Sequence, residues 1–355
     1  MRAIAVERGE TRPQVIDVPR PDPADGEALI RTLRVGIDGT DHAVIEDDHG
    51  SFPPGVDHMI LGHEAVGVVA DPNGTDLKAG QVVVPTVRRP PDGTDNEYFE
   101  RGEPDMAPAE AYVERGIAGA HGYMADFFAS PSEFLVPMPD QFAESGFLVE
   151  PISNVEKALD LAVASRATFD WSPESATVLG NGPLGLLALG AVDRRGVEQM
   201  YCLGRRDRPD PTIDVIERCG ATYVDSRTTP VNELADEYEA MDLVCEATGY
   251  AKHAFETIDA LAPNGVGALL GIPESHTFEI GGGRLHREFV LENKALVGSV
   301  NSHVPHFEVA RETLAATPDW FADAIITNVF SPDEATLAFQ TGDDRIKTVV
   351  EFGTR

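Results

Sequence analysis

Apolar and polar residues alternate in short runs over about the first 155 residues of the chain. EALIRTLRVGI (27–37), HEAVGVV (63–69) and GQVVVPTV (80–87) are the clearest runs, and Gly, Pro and Asp separate them. Short apolar runs bounded by turn-forming residues predict β-strands. Residues 89–110 are polar, acidic and rich in Pro, which predicts a long exposed loop. Strand patterning resumes in FFASPSEFLVPMPD (127–140).

Near residue 155 the pattern changes to apolar runs that alternate with helical periodicity. The predicted helices are SNVEKALDLAVASRA (153–167), PLGLLALGAV (183–192) and PTIDVIERCG (211–220). The predicted strands are ATVL (176–179), QMYCLG (199–204), ATYVD (221–225), MDLVCEATG (241–249), VGALLGI (266–272) and KALVGSV (294–300). Alternation of this kind predicts an α/β fold with a doubly wound parallel sheet. The last 50 residues are mixed: HFEVARETLAA (306–316) predicts a helix and RIKTVVEF (345–352) a closing strand.

The net charge of the chain indicates the salt conditions in which the protein works and the partners that it excludes. The 355 residues include 60 acidic and 28 basic side chains, for a net charge of -32 spread along the chain. Such a surface repels nucleic acid and anionic membranes. Molar salt shortens the Debye length to roughly 3 Å and screens this self-repulsion. Abundant acid with only five Lys is typical of a halophilic cytoplasmic protein.

Cysteine content and hydropathy agree with that setting. Cys202, Cys219 and Cys245 are odd in number and predict free, buried thiols. Met1 leads directly into a strand-like run, so we expect no signal peptide. No apolar run approaches the roughly 18 residues of a membrane helix.

A glycine-rich turn lies between the first predicted strand of the second half and its helix. Gly180, Asn181, Gly182, Pro183, Leu184 and Gly185 match G-x-G-x-x-G in the strand–turn–helix context that dinucleotide sites require. The first Gly forms the tight turn, the second admits a pyrophosphate and the third lets helix and strand pack. We therefore predict a dinucleotide-binding site.

The end of the next strand predicts which dinucleotide binds. Gly204 is followed by Arg205 and Arg206, where an NAD site usually has an acidic residue for the ribose 2′-hydroxyl. Two guanidinium groups suit a 2′-phosphate. NADP is thus the preferred cofactor, although Asp207 leaves NAD possible.

Four candidate metal ligands occur in the first 150 residues: Asp38, His63, Glu64 and Glu150. A buried imidazole and carboxylate are costly unless something pairs with them. Spacing alone proves no metal site, because His63 could be a core histidine with satisfied hydrogen bonds. Glu150 could be an ordinary helix-start acid, since Pro151 follows it.

A family resemblance favours a metal site over these structural alternatives. GHEAVGVV (62–69) followed by GQVVVP (80–85) resembles the zinc signature of the medium-chain dehydrogenase/reductase family, and GIDGTDH (36–42) is similar to that family's GICGTDxH. GNGPLG (180–185) resembles its cofactor turn, and the motifs occur in the right order over nearly the whole chain. VERGIAGAHGYMADFF (113–128) and GSVNSH (298–303) resemble the glucose dehydrogenase branch, particularly its haloarchaeal members.

The resemblance implies the domain organisation and the metal site. It implies a GroES-like β-rich catalytic domain at 1–155 and 302–355, and a Rossmann domain with a doubly wound parallel sheet at 156–301. One catalytic zinc is implied, with ligands taken from Asp38, His63, Glu64 and Glu150; whether the two glutamates bind directly or through water stays open. Asp38 stands where most members have Cys, and a carboxylate is a harder ligand than a thiolate. Because 89–110 contains no Cys, we expect no structural zinc.

The implied reaction is oxidation of β-D-glucose at C1 to the lactone, with hydride transfer to the nicotinamide. The implied catalytic residues are Thr40, as the proton relay, with Glu64 and Glu150; His42 is one position short of the usual relay histidine. The implied sugar-binding residues are Thr40, Glu114, Glu150, Asn154 and Asn301, with His303 a weaker candidate. Further cofactor contacts are implied for Leu270, Gly271, Ile272, Ser299, Val300 and Asn301.

Two other functions remain open from the sequence. One is a polyol or secondary-alcohol dehydrogenase of the same family, and the other is a non-catalytic nucleotide-binding redox sensor. The combination of Thr40 with the four candidate ligands argues against the sensor. We expect a homo-oligomer, dimer or tetramer, and the choice among glucose, galactose and xylose stays open.

Overall fold

A computed structural model describes residues 1–91 and 96–355, and these form two compact units. Unit 1 comprises Met1–Ser153, Asn301–Leu314 and Ile326–Arg355, and unit 2 comprises Asn154–Val300 and Ala315–Ile325. Residues 315–325 belong to unit 2. One of them, Phe321, packs so closely on Gly190 of that unit that a Cβ added to Gly190 would lie 2.9 Å from the Phe321 ring. Among the described residues, no helix has both the length and the apolar character needed to cross a bilayer.

Unit 1 is rich in short strands. They are β1 (Arg2–Glu7), β2 (Gln14–Asp17), β3 (Glu27–Ile37), β4 (His58–Ile60), β5 (Glu64–Asp71), β6 (Val82–Pro85), β7 (Arg88–Arg89), β8 (Val113–Arg115), β9 (Gly119–Ala120), β10 (Phe127–Pro131), β11 (Leu135–Met138), β18 (Ile326–Phe330) and β19 (Lys347–Glu351). The main sheet has the order β11-β6-β5-β3-β19-β18, and β10 also pairs with β3. Smaller sheets have the orders β2-β1-β4 and β7-β8-β9.

Helices in unit 1 are short. They are α1 (Gly39–Ile45), α2 (Glu97–Glu100) and α11 (Ala335–Ala338), with 3-10 turns at Pro104–Met106, Ala109–Ala111, Ser132–Phe134, Asp140–Phe142, Gly146–Leu148 and Pro332–Glu334. The chain passes between the units within α3 (Val149–Ala164) and α9 (Val304–Ala316). The predicted helix at 153–167 thus begins four residues earlier, which places Glu150 in its first turn.

The segment 89–110 departs from the predicted exposed loop. Arg89 is buried in β7, α2 begins at Glu97, and two 3-10 turns follow. Asn96 caps α2 by accepting the Tyr98 N–H at 3.1 Å, and Pro104 is buried. The Pro and Asp content that predicted a loop instead supports these short capped turns. Residues 92–95 of the predicted loop lie outside the described residues.

Unit 2 contains the predicted parallel sheet. Its strands are β12 (Ser175–Leu179), β13 (Gln199–Gly204), β14 (Thr222–Asp225), β15 (Met241–Glu246), β16 (Leu261–Leu269) and β17 (Ala295–Gly298). They are all parallel, in the order β14-β13-β12-β15-β16-β17. Its helices are α4 (Pro183–Arg194), α5 (Pro211–Arg218), α6 (Leu234–Glu237), α7 (His253–Ala260), α8 (Gly282–Leu291) and α10 (Asp319–Ile325), with a 3-10 turn at Val231–Glu233.

This order is the 3-2-1-4-5-6 arrangement of a dinucleotide-binding sheet, which confirms the predicted doubly wound fold. The central strands are buried on both faces, as β12 illustrates with five buried residues, whereas the edge strands β14 and β17 are partly exposed. Of the three free cysteines, Cys202 and Cys245 are buried in this sheet and Cys219 is half-buried.

Candidate active site

The first candidate ligand, Asp38, is held by the start of α1. Asp38 is the N-cap, and its Oδ1 accepts the Asp41 N–H at 3.0 Å while Asp41 Oδ2 accepts the Asp38 N–H at 3.1 Å. This reciprocal capping box satisfies two amides that the helix cannot pair itself. Asp41 Oδ1 also accepts the Gly62 N–H at 3.0 Å, which ties α1 to the residue before His63. Thr40 Oγ1 donates to Asp38 Oδ2 at 3.1 Å.

His63 lies against these two carboxylates. Its Nε2 is 3.5 Å from Asp38 Oδ2, and its Nδ1 is 4.0 Å from Asp41 Oδ1. The imidazole is buried, and Nδ1 has no hydrogen-bond partner within residues 1–91 and 96–355. Two ligands bound at roughly 2 Å from one zinc lie somewhat over 3 Å apart, so the His63–Asp38 separation suits a shared ion.

Glu64 and Glu150 approach the same imidazole from two other elements. Glu64 begins β5, and Glu150 lies in the first turn of α3, where an acid is favoured by the helix dipole. Both side chains are buried, and one donor atom from each lies within 4.8 Å of the other and of a His63 ring nitrogen. Unit 1 therefore brings all four predicted ligands together around His63.

Lys347 is a cationic partner of these carboxylates that the sequence did not predict. Its ammonium forms an ion pair with Glu64 Oε2, and both side chains are 2% exposed. Lys347 reaches this position because β19 pairs with β3, which pairs on its other side with β5. Gly36 makes the room, since a Cβ there would lie 2.2 Å from Glu64 Oε2 and 3.0 Å from Lys347 Cε.

Negative charge exceeds positive charge in this pocket. Burial acts to lower the pKa of His63, but Asp38 and the other nearby carboxylates raise it well above its usual value. Burial raises the pKa of Asp41 to about 7, and neighbouring carboxylates add to that rise. For Asp38, burial acts in the same direction, but His63 and Lys347 outweigh it and leave the pKa low.

A bound cation would relieve this excess of buried negative charge. Zinc accepts imidazole nitrogen and carboxylate oxygen, so the donor set fits it. The residues that would hold it are Asp38, His63, Glu64 and Glu150.

The predicted sugar-binding residues lie on several elements. Glu114 Oε1 accepts the Arg88 Nε–H at 3.0 Å, and its side chain is largely buried. Asn301 Nδ2 donates to Asp105 Oδ1 at 3.0 Å, and His303 Nδ1 pairs with Asp105 Oδ2 at 2.8 Å. Asn154 follows Glu150 by one turn of α3 and is counted in unit 2. His42 packs edge-on against Phe339.

The glycine-rich turn has the geometry that its sequence predicts. Gly180 has φ +110°, which only glycine adopts readily. A Cβ on Gly185 would lie 1.8 Å from the Gly180 carbonyl oxygen, so helix and strand could not pack with any other residue. Gly182 is the N-cap of α4, and a Cβ there would meet nothing within 4 Å. The turn therefore presents open space at the helix N-terminus, with Pro183 and Leu184 beginning the helix.

Beyond β13, the predicted 2′-phosphate residues lie on the surface of unit 2. A Cβ on Gly204 would lie 2.5 Å from the Asn181 side chain, which itself donates to Thr212 Oγ1 at 2.6 Å. Arg205 is exposed, and Arg206 has its backbone N–H and carbonyl bound to the Tyr223 hydroxyl at 2.8 and 2.9 Å.

Asp207, the residue that left NAD possible, is paired with a cation. Its two oxygens accept from Arg227 at 2.5 and 3.3 Å, and Asp225 accepts from the same guanidinium at 2.7 Å. The hydrogen bond to Arg227 lowers the pKa of Asp207. The carboxylate that could have bound a ribose hydroxyl is thus engaged elsewhere.

A cavity of about 380 Å³ opens at the carboxyl ends of β15, β16 and β17 in unit 2. Dinucleotides bind at this edge of doubly wound sheets. Five residues predicted to contact the cofactor are in its lining: Leu270, Gly271, Ile272, Ser299 and Val300. Glu246, also in the lining, was not predicted; it accepts N–H groups of Thr248 and Gly249 at 2.7 and 3.1 Å and so shapes one wall.

Three residues near the predicted site were missed from sequence: Lys347, Asp41 and Asp105. Lys347 did carry a signal, because it is one of only five lysines and lies in an apolar strand pattern. Asp41 follows Asp38 by three residues just before an apolar run, which is a capping-box pattern. Asp105 carried no signal in its acidic, proline-rich segment.

Comparison with known proteins agrees with this geometry. The model of the alcohol dehydrogenase GroES-like domain matches residues 24–140, and that of the glucose dehydrogenase C-terminus matches residues 143–352. The fold and the candidate ligands together define a zinc-type medium-chain dehydrogenase/reductase, which confirms the predicted family and its GroES-like and Rossmann architecture.

Similarity to individual proteins narrows the class. The chain is 62% identical to glucose 1-dehydrogenase of Haloferax mediterranei, with 100% of both chains covered. It is 61% identical to glucose 1-dehydrogenase of Haloarcula marismortui, with 99% of both covered. A solved structure of Haloferax mediterranei glucose dehydrogenase in complex with NADP, Zn and gluconolactone matches with a TM-score of 0.98 over 100% of both chains, at 62% identity. The chain therefore belongs to the glucose dehydrogenase family.

Proposed function

We propose that this protein oxidises D-glucose at C1 to D-glucono-1,5-lactone and transfers the hydride to NADP. The observation that best supports this proposal is that Asp38, Glu64 and Glu150 all lie close to His63. In addition, the Thr40 hydroxyl donates a hydrogen bond to Asp38. Support comes from the relative whose solved structure contains NADP, Zn and gluconolactone. We assign catalysis to unit 1 and cofactor binding to unit 2.

Zinc held by residues from Asp38, His63, Glu64 and Glu150 would polarise the reacting hydroxyl and lower its pKa. Thr40 Oγ1 donates its own proton to Asp38, so its lone pairs are available to accept the hydrogen bond from the C1 hydroxyl. Asp38 accepts from Thr40 and fixes the direction of that relay. Lys347 pairs with Glu64 and opposes the rise in the pKa of that carboxylate that burial causes.

The sugar hydroxyls would be bound by Glu114, Glu150, Asn154 and Asn301. Each offers carboxylate or amide groups, which accept or donate hydrogen bonds in fixed directions. Glu114 accepts a hydrogen bond from Arg88, and Asn301 donates one to Asp105. A site of this kind discriminates strongly against analogues that lack a hydroxyl, because a buried polar group is then left unpaired.

NADP is the preferred cofactor, with NAD possible. Arg205 and Arg206 would pair with the 2′-phosphate, while Asp207, the acid that leaves NAD possible, is paired with Arg227 at the surface. Gly180, Gly182 and Gly185 would admit the pyrophosphate. Leu270, Gly271, Ile272, Ser299, Val300 and Asn301 would contact the nicotinamide half.

We also propose a halophilic cytoplasmic homo-oligomer. The net charge of -32 disfavours nucleic acid and anionic membrane partners. Analytical ultracentrifugation in molar KCl would separate monomer, dimer and tetramer.

The test of the proposed function is a cofactor-reduction assay in molar KCl with added zinc. The panel contains glucose, galactose, xylose, sorbitol and a simple secondary alcohol, each with NADP and with NAD. We expect the highest kcat/KM with an aldose and NADP. Activity with sorbitol or the secondary alcohol but with none of the sugars would contradict the proposal.

A further inference from the structure

We infer that Asp105 is a positioning residue for the sugar-binding residue Asn301, an assignment that rests on the proposed function. Asp105 lies in a 3-10 turn of the segment 89–110, where no Cys is present to hold a structural zinc. Its side chain is only 5% exposed. A carboxylate so buried is shielded from water, which strengthens the hydrogen bonds that it accepts.

Both oxygens of Asp105 are directed at residues of one short segment. Oδ1 accepts the Asn301 amide N–H at 3.0 Å, and Oδ2 pairs with His303 Nδ1 at 2.8 Å. Hydrogen bonds to a carboxylate are shorter and stronger than those between neutral groups. The Asn301 amide therefore has a fixed orientation, with its nitrogen toward Asp105 and its oxygen left to face elsewhere.

The backbone conformation of Asn301 is one that a hydrogen bond to Asp105 can stabilise. Asn301 has φ +56°, in the left-handed region that non-glycine residues enter seldom. The Asn301 amide also donates to the Ser302 carbonyl at 3.2 Å, and Ser302 is bonded to the Ser153 hydroxyl at 2.5 Å. Asp105 thus stabilises a turn whose conformation the local sequence does not impose.

Arg88 connects Asp105 to a second sugar-binding residue. Its Nη1 lies 3.4 Å from the backbone carbonyls of Pro104 and Asp105, and its Nε donates to Glu114 Oε1 at 3.0 Å. The guanidinium is buried and stacks on the Tyr112 ring at 3.8 Å. Arg88 therefore connects Glu114 with Asp105 and, through Asp105, with Asn301. We expect a change at Asp105 to disturb both proposed sugar-binding residues.

The experiment compares Asp105→Asn with the control Glu110→Gln, which removes an exposed carboxylate from the same segment. Asn has no charge and keeps only one of the two acceptor oxygens, so the charge-assisted bonds to Asn301 and His303 cannot both be kept. A charge-assisted hydrogen bond contributes roughly 1.5 to 3 kcal/mol, and about 1.4 kcal/mol is a factor of ten. We expect the KM for glucose to rise at least about tenfold in Asp105→Asn, with little change in the KM for NADP, and neither to move in Glu110→Gln.

A double-mutant cycle separates positioning from general damage. In an Asn301→Ala background, Asp105→Asn should cause much less further loss of sugar kcat/KM than it causes alone, because residues that act through each other are non-additive. If Asp105→Asn lowers the thermal midpoint severely, Asp105→Glu replaces it, since that change keeps the charge and moves the oxygens. Fully additive losses, or an unchanged glucose KM in either Asp105 variant, would overturn the inference.

Two further results are decisive. Asp105, His303 and His306 have donor atoms within 4.8 Å of one another, so zinc bound per chain is measured in wild type and in Asp105→Asn. Equal stoichiometry is expected; loss of one ion in the variant would make the cluster a metal site and overturn the positioning role.

If wild type oxidises no sugar, the proposed function fails and this inference with it. An active wild type whose glucose KM does not respond to changes at Asp105 would leave the proposed function intact and overturn only this inference.

Discussion

Two ion pairs in this protein use the same chemistry in opposite surroundings. In unit 1, the Lys347–Glu64 pair is 2% exposed on both sides and lies beside the candidate metal ligands. In unit 2, Asp207 is 84% exposed and shares Arg227 with Asp225. A buried charge that loses its partner cannot recover its lost hydration, whereas an exposed one is solvated at once. Charges that look alike in sequence therefore differ greatly in consequence.

The contrast also fits the two sites functionally. A metal and a reacting hydroxyl need charges in fixed positions, which burial and connected hydrogen bonds provide. A contact between a 2′-phosphate and guanidinium groups at the surface, as proposed for Arg205 and Arg206, has looser geometry, and added salt competes with it.

Removal of the metal should have the largest effect. Treatment with EDTA in molar KCl should lower turnover at least about a hundredfold, because polarisation by a metal is worth several kcal/mol and about 1.4 kcal/mol is a factor of ten. Circular dichroism should show that most secondary structure is retained. The strands around the site are held by backbone hydrogen bonds between strands, which do not require the metal. EDTA saturated with zinc is the control. Full activity in metal-free protein would refute the catalytic role.

Lys347→Met should be the most destabilising single change of the comparison. It leaves Glu64 buried without its cation, which costs about 3–5 kcal/mol of unfolding free energy. Denaturant unfolding of metal-free protein in molar KCl measures this. The double change Lys347→Met with Glu64→Leu removes both charges and should recover much of the loss. A single variant as stable as wild type would show that the pair is not decisive.

Arg205→Ala with Arg206→Ala should lower kcat/KM for NADP at least about tenfold, because charge-assisted contacts to the 2′-phosphate contribute roughly 1.5 to 3 kcal/mol each. NAD lacks that phosphate, so its constants should scarcely change. The measurement is the ratio of kcat/KM for the two cofactors. Arg12→Ala with Arg287→Ala, two exposed residues, removes the same charge elsewhere as a control. An unchanged ratio would make the arginines surface charges only.

Arg227→Ala should have the smallest effect on stability. Asp207 and Arg227 meet at the surface, so water and salt replace the pair when it is broken. The thermal midpoint in molar KCl should match wild type within error, with any difference visible only at low salt. A loss comparable to that of Lys347→Met would contradict the comparison.

Much of the fold was predictable because it depends on local patterns. The six predicted strands of the second half match β12–β17, since parallel strands buried on both faces are continuous apolar runs. Gly180 and Gly185 were predictable because no other residue fits their backbone and packing. The segment 89–110 was misjudged because short capped turns share their composition with loops.

The sequence by itself determined the ligand types, the glycine-rich turn and the strand–helix alternation, because these depend on residues adjacent in the chain. Tertiary structure decided which charges meet. Lys347 reaches Glu64 only because β19, β3 and β5 are neighbours in one sheet. Asp105 reaches Asn301 across 196 positions of sequence. Such pairings follow from the burial of whole sheets and have no local signature: the rarity of Lys marks Lys347 as unusual but does not indicate its partner.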